Sequence, residues 1–242
     1  MTETTVVDLL RRHTSVREYG EEPVSEDMRR QILDAVFAAS SSCFLQLVTV
    51  IRVTDAQIRR ALYEASGNQS QVLSAPEFWV FCADYHRNEA LGGPADLGWT
   101  EQLVTATLDV GICAQNAMIA LESLGLGGCF IGGMRNHIED ADKVLGLPRR
   151  VYPVLGLAFG HPARKNELKP RLPQSVTVME NGYAQADAQV MREYDARMKA
   201  YYAGRSTNRS NRTWTGEIGK VLGRERRPFM MPYLRSKGFL EK

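Results

Sequence analysis

The stretch Thr100–Asn136, TEQLVTATLDVGICAQNAMIALESLGLGGCFIGGMRN, decides the fold. Between Leu103 and Leu124 the apolar residues Val104, Ala106, Leu108, Val110, Ile112, Ala114, Ala117, Met118, Ile119 and Leu121 cover almost every face of a helix rather than one stripe. A helix that is apolar all round is buried. Gln102, Asp109, Gln115, Asn116 and Glu122 interrupt it and leave no run of ~20 apolar residues, which excludes a membrane span. The expectation is a central helix of a soluble protein or of a subunit interface, where Ala106, Gly111, Ala114 and Ala117 would let a second backbone come close.

Glycines crowd the end of the stretch. Gly125 stands where a helix C-terminus needs a left-handed residue, and Gly127 and Gly128 open a short strand through Cys129, Phe130 and Ile131. Gly132 and Gly133 admit two readings: a tight turn with no chemical role, or a strand end whose bare backbone lets a flat ligand within contact distance. The dinucleotide fingerprint is rejected, because it needs a strand before its glycines and a helix directly after them, and here a helix comes first.

Working outward, 242 residues with 44% hydrophobic and 24% charged suit one large soluble domain or two small ones. The opening MTETT does not read as a secretory signal. Cys43, Cys82, Cys113 and Cys129 are widely spaced and form no CxxC pair, and His13, His86, His137 and His161 show no ligand spacing. The cysteines therefore read as reduced residues of a cytoplasmic protein, with no metal site. The net charge of +2 hides an asymmetry: residues 204–242 carry ten Lys and Arg against Glu217, Glu225 and Glu241. An anion is expected there, whether nucleic acid, a membrane surface or a phosphorylated small molecule.

Thr5–Arg12 reads as a short amphipathic helix, and His13, Ser15 and Arg17 come after it at every second position. In an extended segment that spacing puts imidazole, hydroxyl and guanidinium on one side, a good phosphate clamp. Ser25 caps a helix to about Ala38, the loop Ala39–Phe44 is rich in hydroxyls, and a strand is expected over Leu45–Val53. Further expectations are a helix over Ala56–Ala65, a buried strand over Glu77–Ala83, a mobile loop at Gly92–Pro94 and a helix capped by Asn136 with Glu139. A strand over Val151–Phe159 and a helix over Asp187–Tyr202 complete an α+β, three-layer arrangement with the sheet between helices. The last segment has too little apolar content for its own core and should lie over another surface or another subunit.

Several ordered motifs together resemble the nitroreductase superfamily, in its branch of oxygen-insensitive NADPH nitroreductases and NADPH–flavin oxidoreductases. They are HTSVR at 13–17, SSSCFLQ at 40–46, EFWVFCAD at 77–84, ESLGLGG at 122–128, IGG at 131–133 and LKPRLP at 168–173. The resemblance implies a single FMN-binding domain over 1–242 with a central mixed, mainly antiparallel sheet. It further implies an intertwined homodimer in which the basic segment 204–242 embraces the partner. It assigns FMN contacts to His13, Thr14, Ser15, Val16, Arg17, Ser41, Gln69, Ser70, Gln71, Lys169 and Arg171, with Phe130, Ile131, Gly132 and Gly133 beside the ring and a backbone N–H near Gly132 reaching the flavin N5. Arg205 and Arg209 are assigned to the NADPH 2′-phosphate, and Ser42, Phe44 and Arg227 to the substrate pocket. Thr14 and Cys43 depart from the branch, where arginine and serine are usual.

The activity that the resemblance implies is that of an oxidoreductase in which FMN carries the hydride from NADPH to nitroaromatics, quinones or similar oxidants in a ping-pong cycle, with no obligatory acid–base side chain. The alternatives are a flavin reductase, for which free FMN is the oxidant, and a non-enzymatic flavin or nucleic-acid binding dimer. The basic tail lacks the interleaved aromatics of a single-strand platform, which weighs against nucleic acid as a partner.

Overall fold

The computed structural model describes residues 5–93, 95–164 and 166–242. Thr5 and Ser25 each accept the backbone N–H three residues ahead and start α1 (Val6–Arg11) and α2 (Glu26–Phe37). After β1 (Val48–Arg52), Asp55 takes the N–H groups of Gln57 and Ile58 and caps α3 (Ala56–Ala65). Next come α4 (Gln71–Ser74), β2 (Glu77–Asp84), α5 (His86–Gly92), α6 (Thr100–Ser123), β3 (Gly127–Ile131), α7 (Ile138–Leu145) and β4 (Val151–Gly160). The chain ends in α8 (Gln174–Thr177), α9 (Ala188–Gly204), α10 (Trp214–Leu222) and α11 (Met230–Ser236).

The strands lie in the order β1-β2-β4-β3, antiparallel at every described pairing. Every residue of β2 is buried. Its side chains alternate between two cores: Trp79, Phe81 and Ala83 face the layer of α2 and α6, while Phe78, Val80 and Cys82 face that of α3 and α7. Each large side chain so buried contributes roughly 1.5–3 kcal/mol, and Trp79 meets Phe159 edge-on at 4.9 Å.

The described chain gathers into two compact units, residues up to 166 together with 227–242, and residues 167–226. In the first, the end of the chain completes the core. Phe239 packs against Tyr85 and Tyr152, and Asp142 accepts from Tyr233 at 2.5 Å and pairs with Lys237 at 2.7 Å. Residues 227–242 thus find the apolar partner that their own composition could not supply.

Within one chain the α6 helix is not buried all round: Val104, Leu108 and Ile112, four residues apart, form an exposed stripe, with Leu108 61% accessible, a face that the subunit-interface expectation leaves for a partner. The helix is long and apolar enough to cross a membrane, yet Ala106, Val110, Ala117 and Leu121 belong to the core over the sheet. The strand expected from Leu45 starts only at Val48, because Cys43, Phe44 and Gln46 take left-handed backbone angles. Of the loop expected at Gly92–Pro94, Gly92 is the last residue of α5, Gly93 lies outside any element, and Pro94 lies outside the described residues. Asn136 does not cap α7, which begins after His137 without a side-chain cap; its amide is engaged elsewhere.

Candidate active site

Residues 13–17 run along the free edge of β3. Val16 donates its N–H to the Gly128 carbonyl at 2.9 Å and buries its side chain against Gly127, where any Cβ would collide with it. The Tyr19 hydroxyl lies 2.8 Å from the Val16 carbonyl and 3.0 Å from that of Ala158, and burial raises its pKa. Asn166 donates to the Ser15 carbonyl at 2.6 Å. His13 Nδ1 sits 2.6 Å from Glu122 at the end of α6, so one ring nitrogen is spent on that carboxylate. Arg17 is exposed, and its guanidinium lies 3.5 Å from the Ser15 carbonyl of its own segment. Thr14 is half-buried.

At the far end of β3 the chain enters a 3-10 turn over Gly132–Arg135. The two glycines differ. A Cβ on Gly133 would collide with Gln69 Nε2 and the Ser66 carbonyl, whereas one on Gly132 would meet nothing closer than Arg135 Nη2 at 3.6 Å. Gly133 therefore answers to protein packing, and only Gly132 leaves open space beside the backbone. Ile131 is fully buried and Phe130 half-buried. Gln69 folds back to donate to the Ser66 carbonyl at 3.2 Å, while Ser70 is exposed and Gln71 starts α4.

Asn136 ties these pieces together. Its Nδ2 donates to the Ser66 carbonyl at 2.9 Å, and its Oδ1 accepts from Arg227 Nη2 at 2.7 Å. Arg227 also donates to the Gly132 carbonyl at 3.2 Å. Arg227, expected to border the pocket, thus grips the turn itself.

A third group lies on the loop before β1. Ser41 donates to Asp109 at 2.5 Å and accepts the Gln46 N–H at 2.7 Å, which uses its donor and one of its two acceptor lone pairs within the loop. Ser42 and Cys43 are exposed, and Phe44 is 78% accessible. In the sequence Asp109 reads as a mere interruption of an apolar helix; in the fold three loop donors converge on it.

The second unit holds the remaining cations. Lys169 and Arg171 line an open depression of ≈ 430 Å³ with Leu172, Thr177, Tyr194 and Trp214. Lys169 Nζ lies 5.3 Å over the Tyr202 ring, Arg205 lies 5.9 Å over Tyr201, and the two rings meet edge-on at 5.3 Å. Arg209 donates to the Arg205 carbonyl at 2.8 Å. Glu167 accepts the Ser206 N–H at 3.0 Å, and that bond is the main reason its carboxyl is pushed down to about 2. Arg205 Nε and Ser210 Oγ are buried without a partner, each at a cost of roughly 1–3 kcal/mol. Among the described residues, Arg17, Lys169, Arg171, Arg205 and Arg209 have no carboxylate within 4.0 Å.

An antiparallel sheet between helical layers defines an α+β protein, in which β3 ends on bare backbone and, among the described residues, several cations have no carboxylate within 4.0 Å. Residues 10–161 match the Nitroreductase family and residues 169–242 the Nitroreductase family, C-terminal domain; the chain belongs to the nitroreductase family. It is 43% identical to the oxygen-insensitive NADPH nitroreductase of Salmonella typhimurium, over 96% of this chain and 97% of the relative. With the NADPH-flavin oxidoreductase of Vibrio harveyi it shares 41% over 98% of both chains. Among solved structures, nitroreductase A from Vibrio parahaemolyticus superposes with a TM-score of 0.93 at 40% identity, covering 98% of both chains. The V. harveyi NADPH:FMN oxidoreductase complexed with NAD+ gives 0.92, also at 40%, covering 98% of this chain and 99% of that one.

Proposed function

We propose that the chain is an FMN-dependent oxidoreductase that uses NADPH for two-electron reduction of nitroaromatics, quinones and similar acceptors. The observation that carries this reading is the set of cations without carboxylate partners, in a chain that matches NADPH-dependent nitroreductases and flavin oxidoreductases along nearly its whole length. Unpaired guanidinium and ammonium groups bind phosphate strongly, and FMN and NADPH both bring phosphates. Bound FMN supplies the hydride chemistry, and the protein supplies binding, orientation and electrostatics.

The residues present fit that division of labour. Arg17 and the polar groups of residues 13–15 would hold the phosphate and ribityl chain from the edge of β3. Lys169 and Arg171, assigned to the same cofactor by the resemblance, have the charge for it. Gly132 offers the open backbone a flat ring needs, and Arg227 and Asn136 hold that turn in place. Arg205 and Arg209 would take the 2′-phosphate of NADPH, and the unpartnered Arg205 Nε and Ser210 Oγ support a ligand at this loop. Ser42 and Phe44 would border the oxidant.

The same reading takes the protein as a cytoplasmic homodimer. The exposed stripe of Val104, Leu108 and Ile112 supports a partner on α6, and four free cysteines suit a reducing compartment. Of the basic segment 204–242, residues 204–226 would embrace that partner, since 227–242 complete the core of their own unit. A monomer in sedimentation would remove this part of the reading.

The test is an absorbance spectrum, then anaerobic addition of NADPH or NADH. A yellow protein bleached faster by NADPH supports the reading, and a colourless one that FMN does not reconstitute defeats it. Parallel double-reciprocal lines would establish the ping-pong order. A second reading, release of reduced flavin to free FMN, is favoured by relatives named NADPH-flavin oxidoreductase and FMN reductase (NADPH). Turnover with a nitrofuran against free FMN separates the two.

A further inference from the structure

Asp109 sits on α6 at 2% accessibility, and no cation among the described residues pairs with it. A buried carboxylate is tolerated only when hydrogen bonds replace its water. All three donors come from one loop: the Ser41 hydroxyl at 2.5 Å, the Ser42 N–H at 3.3 Å and the Leu47 N–H at 3.4 Å. Both ends of the loop are therefore fastened to a single side chain.

The loop holds an uncommon shape without help from burial. Cys43, Phe44 and Gln46 have φ of 49°, 57° and 53°, which non-glycine residues seldom adopt, and residues 42–46 are all exposed. A second anchor comes from α5, where Arg87 donates to the Gln46 carbonyl at 2.5 Å and Asn88 to the Leu45 carbonyl at 2.7 Å. Two helices thus fix a strained, solvent-facing loop whose apex is the exposed ring of Phe44. No side chain of residues 42–46 is buried in the core, so the shape is read by where it puts Phe44.

We propose that Asp109, with Arg87 and Asn88, are positioning residues that set the Phe44 ring against the oxidant, so that preference among acceptors is governed from α6 and α5 as well as by the pocket wall. This rests on the reading of Phe44 as a pocket residue. Asparagine at 109 would turn one acceptor oxygen into a donor facing the donors of the loop. Displacing the ring by about an ångström is expected to cost roughly tenfold to hundredfold in kcat/KM for a nitrofuran.

The experiment uses the FMN-loaded full chain as wild type, Asp109→Asn, Arg87→Gln and Phe44→Ala. It measures nitrofuran and quinone kinetics, the rate of bleaching by NADPH and the FMN dissociation constant. The expected result is a lowered kcat/KM that differs between the two oxidants in Asp109→Asn and, less, in Arg87→Gln, with bleaching and FMN affinity unchanged. Should Asp109→Asn fail to fold, Arg87→Gln still decides, because its side chain is 43% exposed. Parallel loss of all three properties, or unchanged oxidant kinetics in the anchor variants while Phe44→Ala alters them, overturns the positioning role alone. Unchanged oxidant kinetics in Phe44→Ala overturns the pocket reading and the proposal with it.

Discussion

The edge of β3 and the basic loop at 205–210 both present arginines without carboxylate partners, and they are built in opposite ways. At the edge, Val16 is pinned to Gly128, and Gly127 and Gly133 are kept bare by neighbours that would collide with any side chain. In the loop, Glu167 holds the Ser206 N–H, Arg209 holds a carbonyl, and two buried polar atoms have no partner at all. A rigid edge with little to give suits a ligand that stays bound through many turnovers. A loosely tied loop with unmet hydrogen bonds suits one that must arrive and leave in each cycle.

The strongest way to break this comparison is at Gly133. Alanine there drives a Cβ into the Ser66 carbonyl, which is backbone and cannot rotate away. A loss of about 3 kcal/mol is expected, near the upper end of overpacking penalties, seen as a drop in Tm of roughly 2–4 °C per kcal/mol. Gly132→Ala is the control: its Cβ meets only ordinary contacts, so Tm should hold while FMN affinity falls. Equal melting temperatures for the two variants would show that the edge of β3 is no more rigid than the loop.

That contrast marks where the sequence can and cannot be read. The buried strand expected over Glu77–Ala83 announces itself by the unbroken apolar and aromatic run Phe78–Ala83, and Ser25 and Asp187 cap helices as their residue types demand. The glycine pair at 132–133 is visible, but which glycine serves packing is not, because Ser66 and Gln69 approach it from distant positions in the chain. Asp109 and Asn136 mislead for the same reason. Asp109 looks like a break in an apolar run and Asn136 like a cap, since their partners lie on segments that only the folded sheet brings near. The exposed stripe on α6 is hidden by composition: a helix shared with a core and a helix shared with a second surface carry the same apolar residues.

The loop side of the comparison is sharpened at Arg205. Removing one charge-assisted contact to a phosphate costs about 1.5–3 kcal/mol, so Arg205→Ala should raise KM for NADPH roughly tenfold or more and leave that for NADH nearly unchanged. Steady-state kinetics with both donors checks this. An equal rise for both would place the 2′-phosphate elsewhere and leave the loop without its ligand.

The smallest effect concerns what keeps that loop ordered. Glu167 accepts the Ser206 N–H, and its carboxyl is pushed down to about 2 from the ordinary 4.5, chiefly by that bond, then by its own backbone N–H and the Ser206 hydroxyl, and least by the charge of Arg205. A carboxylate whose pKa is depressed by the folded arrangement stabilises it fully above the unperturbed value, and the contribution is lost as pH falls through the window from 4.5 toward 2. The group is fully exposed, so solvent screens the contribution and it stays small. Protonation of the 2′-phosphate at about pH 6 raises KM for NADPH in any variant, so the readout is the difference between wild type and Glu167→Gln. The variant should show a modestly higher KM at neutral pH, smaller than the rise from Arg205→Ala, and that difference should shrink as pH falls below 4.5, where the anchor on Ser206 weakens. A variant indistinguishable from wild type across the whole range would mean that the loop is ordered by Arg209 and the Tyr201–Tyr202 pair instead, and that the basic loop is firmer than its open hydrogen bonds imply.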